Sequence, residues 1–436
     1  MKRFLMTPGV ARQHTRLGRS PGPAVRRLVP GGAEATRTGS ADIVRAIGQA
    51  FVALLTVLAC GSGEGSGAAA AVRDSAGITI VENRRPTWRA ETAWHLSDRP
   101  VLQIGVEEGD PAYVLARVAG AIRLPDGRVL VGDGGSNQLR FFDSAGTFLA
   151  AVGRSGQGPG EFQFLRDVRR CEPDVITAFD LNWQRSWFDL DGRFRDRAQL
   201  VTPEGVSPYA LSCSVGDRYL VTGWGNTMVV AALYRTTAPL VVIDGTGNIL
   251  HRLDSVPGSE RVGTERGSRP HPFGRSTHVL LRGDTAIIGT ADDYSLAFRH
   301  VDGTLVRIVR RVDVRLTDTA GLRATYRRAR LASASNVPAV ERELDAMVFP
   351  PSLPAYDLLR SDPTGHLWVR AFAPLGVEAR AWSVFAPAGQ WLGDVAMPAR
   401  FTVTEIGADY VIGVHRNELD VEFVHLYRLI RPREVP

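Results

Sequence analysis

One unit recurs along the chain, and it limits what the chain can fold into more than any other feature. Its clearest copy runs Ala119-Gly-Ala-Ile-Arg-Leu-Pro-Asp-Gly-Arg-Val-Leu-Val-Gly-Asp133 and continues Gln138-Leu-Arg-Phe-Phe-Asp-Ser-Ala-Gly-Thr-Phe-Leu-Ala-Ala-Val-Gly153. Apolar runs broken by Asp-Gly or Ala-Gly turns at intervals of about ten residues predict short strands. Here there are four, over 118–124, 128–132, 138–142 and 147–152, with tight turns flanking a longer loop at 133–137. Further copies pair Val175-Ile-Thr-Ala-Phe-Asp180 with Ser186-Trp-Phe-Asp-Leu-Asp-Gly-Arg193, and Tyr219-Leu-Val-Thr-Gly223 with Leu240-Val-Val-Ile-Asp-Gly-Thr-Gly-Asn248. Three more centre on Thr285-Ala-Ile-Ile-Gly289, His366-Leu-Trp-Val-Arg370 and Tyr410-Val-Ile-Gly-Val414. Four strands in a period of about 40 to 50 residues make a propeller blade, so the predicted fold is an all-β, six-bladed β-propeller.

The last copy has no fourth strand, because the sequence ends soon after Tyr427. Val101-Leu-Gln-Ile-Gly105 matches Leu149-Ala-Ala-Val-Gly153 in type, and it is expected to supply that strand. N- and C-terminal strands then share one blade, which removes the open edges of the array. Val152-Gly-Arg-Ser-Gly-Gln-Gly-Pro-Gly-Glu-Phe162, following Leu-Pro-Asp-Gly-Arg and Phe-Asp-Ser-Ala-Gly, resembles six-bladed propellers related to NHL repeats that many bacteria export. The resemblance spans about 78–429, is strong in the first blade and fades in the third and fourth. It implies a fold and an exported protein, and no particular activity.

The sequence holds 52 Lys and Arg against 46 Asp and Glu, an imbalance that on its own suggests nucleic acid or an anionic surface. Nine of the basic groups (Lys2, Arg3, Arg12, Arg16, Arg19, Arg26, Arg27, Arg37, Arg45) and two of the acidic ones (Glu34, Asp42) precede Cys60, which leaves 43 against 44 beyond it. A nearly neutral body argues against a nucleic-acid partner. Lys2 is the only lysine, so Schiff-base and phosphate-loop lysine chemistry is excluded downstream.

From Val44 to Cys60 one positive charge precedes an apolar run of signal-peptide length, too short for a comfortable membrane span. Val57-Leu58-Ala59-Cys60 resembles the bacterial lipobox, with Val57 where leucine is favoured, and implies lipidation of Cys60. The expected organisation is a leader over 1–60, a flexible Gly/Ser tether over 61–71, and the propeller over 72–436. The Pro-, Gly- and Arg-rich stretch over 1–43 is unusual for a leader, and a start at Val44 would account for it. Localisation is therefore read as the cell envelope, with the body anchored to a lipid bilayer through Cys60.

Tight turns keep one face of the predicted ring short, while the long pieces 133–137, 224–238, 253–277 and 312–356 fall on the other. Insertions gathered on one face of a repeat array commonly mark its binding face. A helical insertion is expected over about 317–350, with Leu322, Tyr326, Ala329 and Leu331 near helical spacing, a break at Asn336-Val-Pro338 and a second helix over 339–347. Its Arg323, Arg327, Arg328 and Arg330 form a solvated basic surface or a lid attracting an acidic ligand. Asp133, Asp180, Trp224, Asp292, Arg370 and His415 end the second strands and are the candidate ligand-binding residues at the channel mouth. Their carboxylates suit a hard cation such as Ca²⁺, or serve their own turns. No other cofactor is implied. Cys171 and Cys213 sit at matching places on adjacent innermost strands, where they either form a disulfide or remain small buried hydrophobes.

No His-Glu-x-x-His, Gly-x-Ser-x-Gly or Cys-x-x-Cys spacing appears, and the eight histidines after the leader are scattered. The favoured reading is a membrane-tethered, noncatalytic binding or interaction module presenting its channel mouth to a protein, peptide or glycan. The alternative is a metal-dependent propeller lyase or lactonase acting on a small substrate, with His278 and His415 the histidines nearest the channel.

Overall fold

The structure is a computed structural model describing residues 68–200, 207–224, 233–264, 267–312, 314, 316–317, 320–377 and 380–432. The leader over 1–60, Cys60 and the tether up to residue 67 lie outside the described residues. Six antiparallel sheets follow one another and form the blades, over 118–152, 167–199, 207–257, 278–311, 358–396 and 401–430. Within these ranges chain order equals strand order from the innermost strand outward, and all neighbours are antiparallel. The six first strands are Val118–Arg123, Asp167–Glu172, Ser207–Ser214, His278–Arg282, Leu358–Ser361 and Phe401–Ile406.

The expected closure is present. Leu102–Ile104 pairs antiparallel with Glu422–Ile430, placing Ile104 opposite Val424 and Leu102 opposite Leu426. Period-two alternation then explains the core. In Val129–Asp133, buried along its whole length, Val129 and Val131 pack with Ile412 and Val424 of blade 6, while Leu130 packs with Ile176 and Phe188 of blade 2. Six such apolar clusters stand between consecutive blades, and each buried Leu, Ile or Phe in them contributes about 1.5–3 kcal/mol.

The short face is built from one repeated turn. Asp143, Asp189, Asp244 and Asp362 each accept backbone N–H bonds from the residues two and four positions on. Glycines follow three residues later with φ of 87° at Gly146 and 88° at Gly365. Blade 6 makes the same turn without glycine: Asn417 is the acceptor, and Asp420 takes the left-handed conformation at φ 60°.

Two features differ from expectation. The N-terminal segment begins regular structure at Ala70, and Ala70–Ser75 with Ile78–Asn83 form a hairpin that widens blade 4 to six strands. Ile78–Asn83 joins the outer strand Leu305–Arg311 in parallel, and buried Asn83 donates to the carbonyls of Arg310 and Gly389 and accepts from Trp391 N. The insertion does hold two helices, α1 (Ala320–Ala332) and α2 (Val337–Asp345). Asn336, expected to break the run, is the N-cap of α2, accepting from Ala339 N, and Pro338 sits in the first turn where its missing N–H costs nothing. Tyr326 and Leu344 of the helices bury against Phe273 beside blade 4 and Phe372 beside blade 5.

Candidate functional site

The first strands of all six blades enclose a cavity of about 620 Å³ in the central channel. It extends from Trp183 and His278 on the long-loop side to Asp362 and Pro363 on the short-turn side. Innermost strands have no further strand on their inner edge, so a charged residue in one of them faces either a neighbouring blade or the channel. Among the described residues three arginines, Arg169, Arg170 and Arg360, and two carboxylates, Glu405 and Asp362, line this space.

Their partners differ. Arg169 donates from Nε to Asp167 Oδ2 at 2.6 Å and from Nη1 to the Leu211 carbonyl of blade 3 at 2.8 Å. Arg170 reaches across to Glu405 of blade 6 at 3.9 Å. Glu405 already accepts from Arg123 N at 2.8 Å and from the Tyr410 hydroxyl at 2.9 Å. Burial pushes the Glu405 carboxyl above its ordinary range, against the opposing pull of these donors and of Arg170 and Arg360. Arg360 has the poorest company: Nη2 donates to the Val403 carbonyl at 3.4 Å, and its buried Nε has no acceptor. Burial first, and the nearby Arg169 second, push its guanidinium down to about 10, which leaves it charged at neutral pH. His278 is pushed down to about 4 by burial, with Arg370 and Arg235 adding to the effect, so its imidazole is neutral there.

Asp133, Asp180, Asp292, Arg370 and His415, five of the six residues expected at the channel mouth, do not line this cavity, because the first strand of each blade stands between the second strand and the channel. Asp133 is buried and pairs with Arg140 at 2.7 Å while accepting from Ala116 N and Gly135 N. Asp180 accepts from Gln163, Phe164 and Leu181 N–H groups and thereby pins the incoming loop of blade 2. Asp292 joins Arg235 at 2.6 Å and Arg275 at 3.1 Å. Arg370 and Arg380 share Asp357 at 2.5 and 3.0 Å. His415 stacks on His425, ring centroids 4.7 Å apart, and lies in blade 6 away from the channel. Trp224 ends the strand Arg218–Trp224, and its side chain is outside the described residues. The carboxylates thus serve loops and arginines, and among the described residues no three His, Cys, Asp or Glu side chains gather as metal ligands. The arginines of the insertion are likewise engaged: Arg327 with Asp345 at 2.7 Å, Arg330 with Glu343 at 3.7 Å, and Arg323 over the Phe349 ring.

Cys171 and Cys213 form a disulfide between the first strands of blades 2 and 3, with Cα atoms 5.5 Å apart, and Cys213 lines the cavity. The strands converge enough here for the required approach. With a sequence separation of 42 between the half-cystines, a chain-entropy account gives about 4 kcal/mol. The double replacement Cys171→Ser with Cys213→Ser is therefore expected to lose about 3–4 kcal/mol in denaturant titration. A loss below about 1 kcal/mol would mean that the bond constrains little.

Residues 114–177 match the DUF5128 family, described as a 6-bladed beta-propeller. The chain is a six-bladed β-propeller. Among solved structures, a Bacteroides fragilis protein thought to be exported is 13% identical, covers 81% of this chain and 100% of its own, and has a TM-score of 0.46. A Bacteroides vulgatus member of the DUF4221 family is 10% identical over 78% of this chain and 99% of its own, with a TM-score of 0.47. The Neurospora crassa Pan2 WD40 domain is 9% identical over 80% and 99%, with a TM-score of 0.38. No curated protein matches the chain.

The channel residues were absent from the sequence-derived set although a signal for them existed. Val168-Arg169-Arg170-Cys171 and Leu358-Leu359-Arg360-Ser361 place charge inside innermost strands whose other positions are apolar or small. A charge in such a strand is costly unless it faces a cavity or a partner.

Proposed function

We propose that this chain is an exported, noncatalytic binding module, tethered to a membrane through Cys60, that takes its ligand in the central channel. The observation that carries the reading is the cavity itself: six first strands converge on about 620 Å³ of space lined by charged as well as apolar side chains rather than closing on an apolar plug. That volume suits a small molecule or the end of a peptide or glycan. The arginines in it bind and orient. Guanidinium groups stay protonated near neutrality and exchange no proton with a substrate there. Export is supported by the apolar run before Cys60 and by the disulfide, a bond that persists in oxidising compartments.

Ser361 lines the cavity, and Ser361→Trp fills part of it. Compounds from a cell-envelope extract retained by the full chain through desalting are expected to be lost in the Ser361→Trp variant, with mass spectrometry as the readout. Equal retention by both proteins would move the ligand out of the channel. Palmitate labelling that disappears in Cys60→Ser checks the anchor, and an unlabelled native protein would refute it.

A further inference from the structure

We infer that the channel is an oxyanion site, in which Arg360 with Arg169 and Arg170 holds a phosphate monoester or a carboxylate. The inference rests on the channel being the binding site and adds the chemical class of the ligand.

The charge balance of the cavity is the argument. Arg169 is neutralised by Asp167. Among the described residues Arg170 has one carboxylate, Glu405, at 3.9 Å, and Glu405 is already committed to Tyr410 and Arg123 N. The other carboxylate at the cavity wall, Asp362, is consumed by Arg431, Trp368 and Thr364. Among the described residues no carboxylate stands within ion-pair distance of Arg360, and its Nε lacks any acceptor. Positive charge continues beyond the wall, where Arg370 and Arg380 share the single Asp357.

Like charges held together away from bulk water are unfavourable, and the apolar packing of blades 2 and 5 is carried by other residues. Val168 and Leu359 carry the packing of their strands, and both are buried. A planar guanidinium fork binds the two oxygens of a carboxylate or phosphate in one bidentate contact. An oxyanion entering here would supply the acceptor that Arg360 lacks and offset its repulsion with Arg169. Three arginines from two different blades line one partly open space of about 620 Å³, which fits a compact terminal group better than a stretch of polymer backbone.

The test uses the full chain and titration calorimetry at low ionic strength, with inorganic phosphate, citrate and uncharged glucose as probes and chloride-matched controls. Phosphate or citrate is expected to bind, glucose is not, and Arg360→Gln is expected to weaken the binding about tenfold or more. Preference for phosphate over citrate, or the reverse, separates a phosphate ligand from a carboxylate one, and either supports the inference. Because Arg360→Gln removes a repelled buried charge, its ligand-free thermal midpoint is expected to equal or exceed that of the native chain, which separates lost binding from lost folding. Arg170→Gln, on the opposite side of the cavity, provides a second variant expected to weaken binding severalfold. Absence of binding by both anions above the chloride control, or affinity unchanged in both variants, overturns the inference. If neutral compounds are nevertheless retained in a manner sensitive to Ser361→Trp, the binding role stands and the anion class alone falls; if nothing is retained, both fall.

Discussion

Ile104→Asp is expected to remove more than about 4 kcal/mol of stability and to open the ring, read as a collapse of the guanidinium midpoint. Ile104 is 1% exposed and sits in the strand that pairs blade 6 with the N-terminal segment. Its neighbours are Leu115, Val129, Phe142, Ile412 and Val424, apolar groups from blades 1 and 6 that offer no cation to an aspartate. A carboxylate placed there either stays charged without a partner or takes a proton, and both choices raise the energy of the folded state. The same change loosens the pairing that turns an open array into a closed one, so proteases are expected to release the segment before blade 1. Val101→Asp, three residues earlier at 54% exposure, is the matched control and is expected to stay within about 0.5 kcal/mol of the native chain. A loss for Ile104→Asp no larger than the 0.5–1.5 kcal/mol or so that Ile104→Val costs would show that the clasp is dispensable.

That clasp was legible in the sequence because 101–105 repeats the type of 149–153, and a strand that fills the same place in a repeat carries the same pattern. The short turns were legible for a similar reason: an Asp accepting two N–H bonds and a Gly at positive φ leave a local signature. The hairpin Ala70–Asn83 left only its turn, Asp74-Ser-Ala-Gly77, and the short run Ile78-Thr-Ile-Val81, without a first strand that reads as one. Ala70-Ala-Val-Arg-Asp-Ser75 is almost wholly exposed and shows no apolar alternation, since it is the outermost strand of its sheet, pairs with Ile78–Asn83 alone and has no face to bury. The residues expected at the channel mouth lie one strand out from the cavity. Asp133 and Asp180 look like mouth ligands when strands are laid out flat, yet the ring places first strands innermost and leaves those carboxylates to bind loop amides. Only a three-dimensional radius separates Arg360, which reaches the channel, from Arg370, which is held by Asp357.

Acid titration separates a second large effect, centred on Asp362. Its side chain is fully buried and accepts from Trp368 Nε1 at 3.1 Å, Thr364 Oγ1 at 2.7 Å, the backbone N–H groups of Thr364 and His366, and Arg431 Nη2 at 2.8 Å. Arg431 also lies 4.1 Å over the Trp94 ring, and Trp94 packs on Trp88, so this one carboxylate joins the short turn of blade 5 to both the N-terminal and the C-terminal segment. Burial alone would raise its pKa, but the donors prevail and hold the carboxyl well below the usual carboxylate range. A depressed folded pKa means stability that is present above the unfolded value of about 3.9 and is lost as pH falls toward the folded one. Native stability is therefore expected to decline from about pH 5 downward with a component that Asp362→Asn lacks. At pH 7 the variant is expected to be weaker by about 2–4 kcal/mol, because Arg431 and Trp368 lose a charged acceptor. The gap between the two proteins should narrow steadily as the medium is acidified. A gap that holds constant from neutral to acidic conditions would mean that Asp362 acts through shape rather than charge, and the joining of the two chain ends would then rest on the tryptophan packing alone.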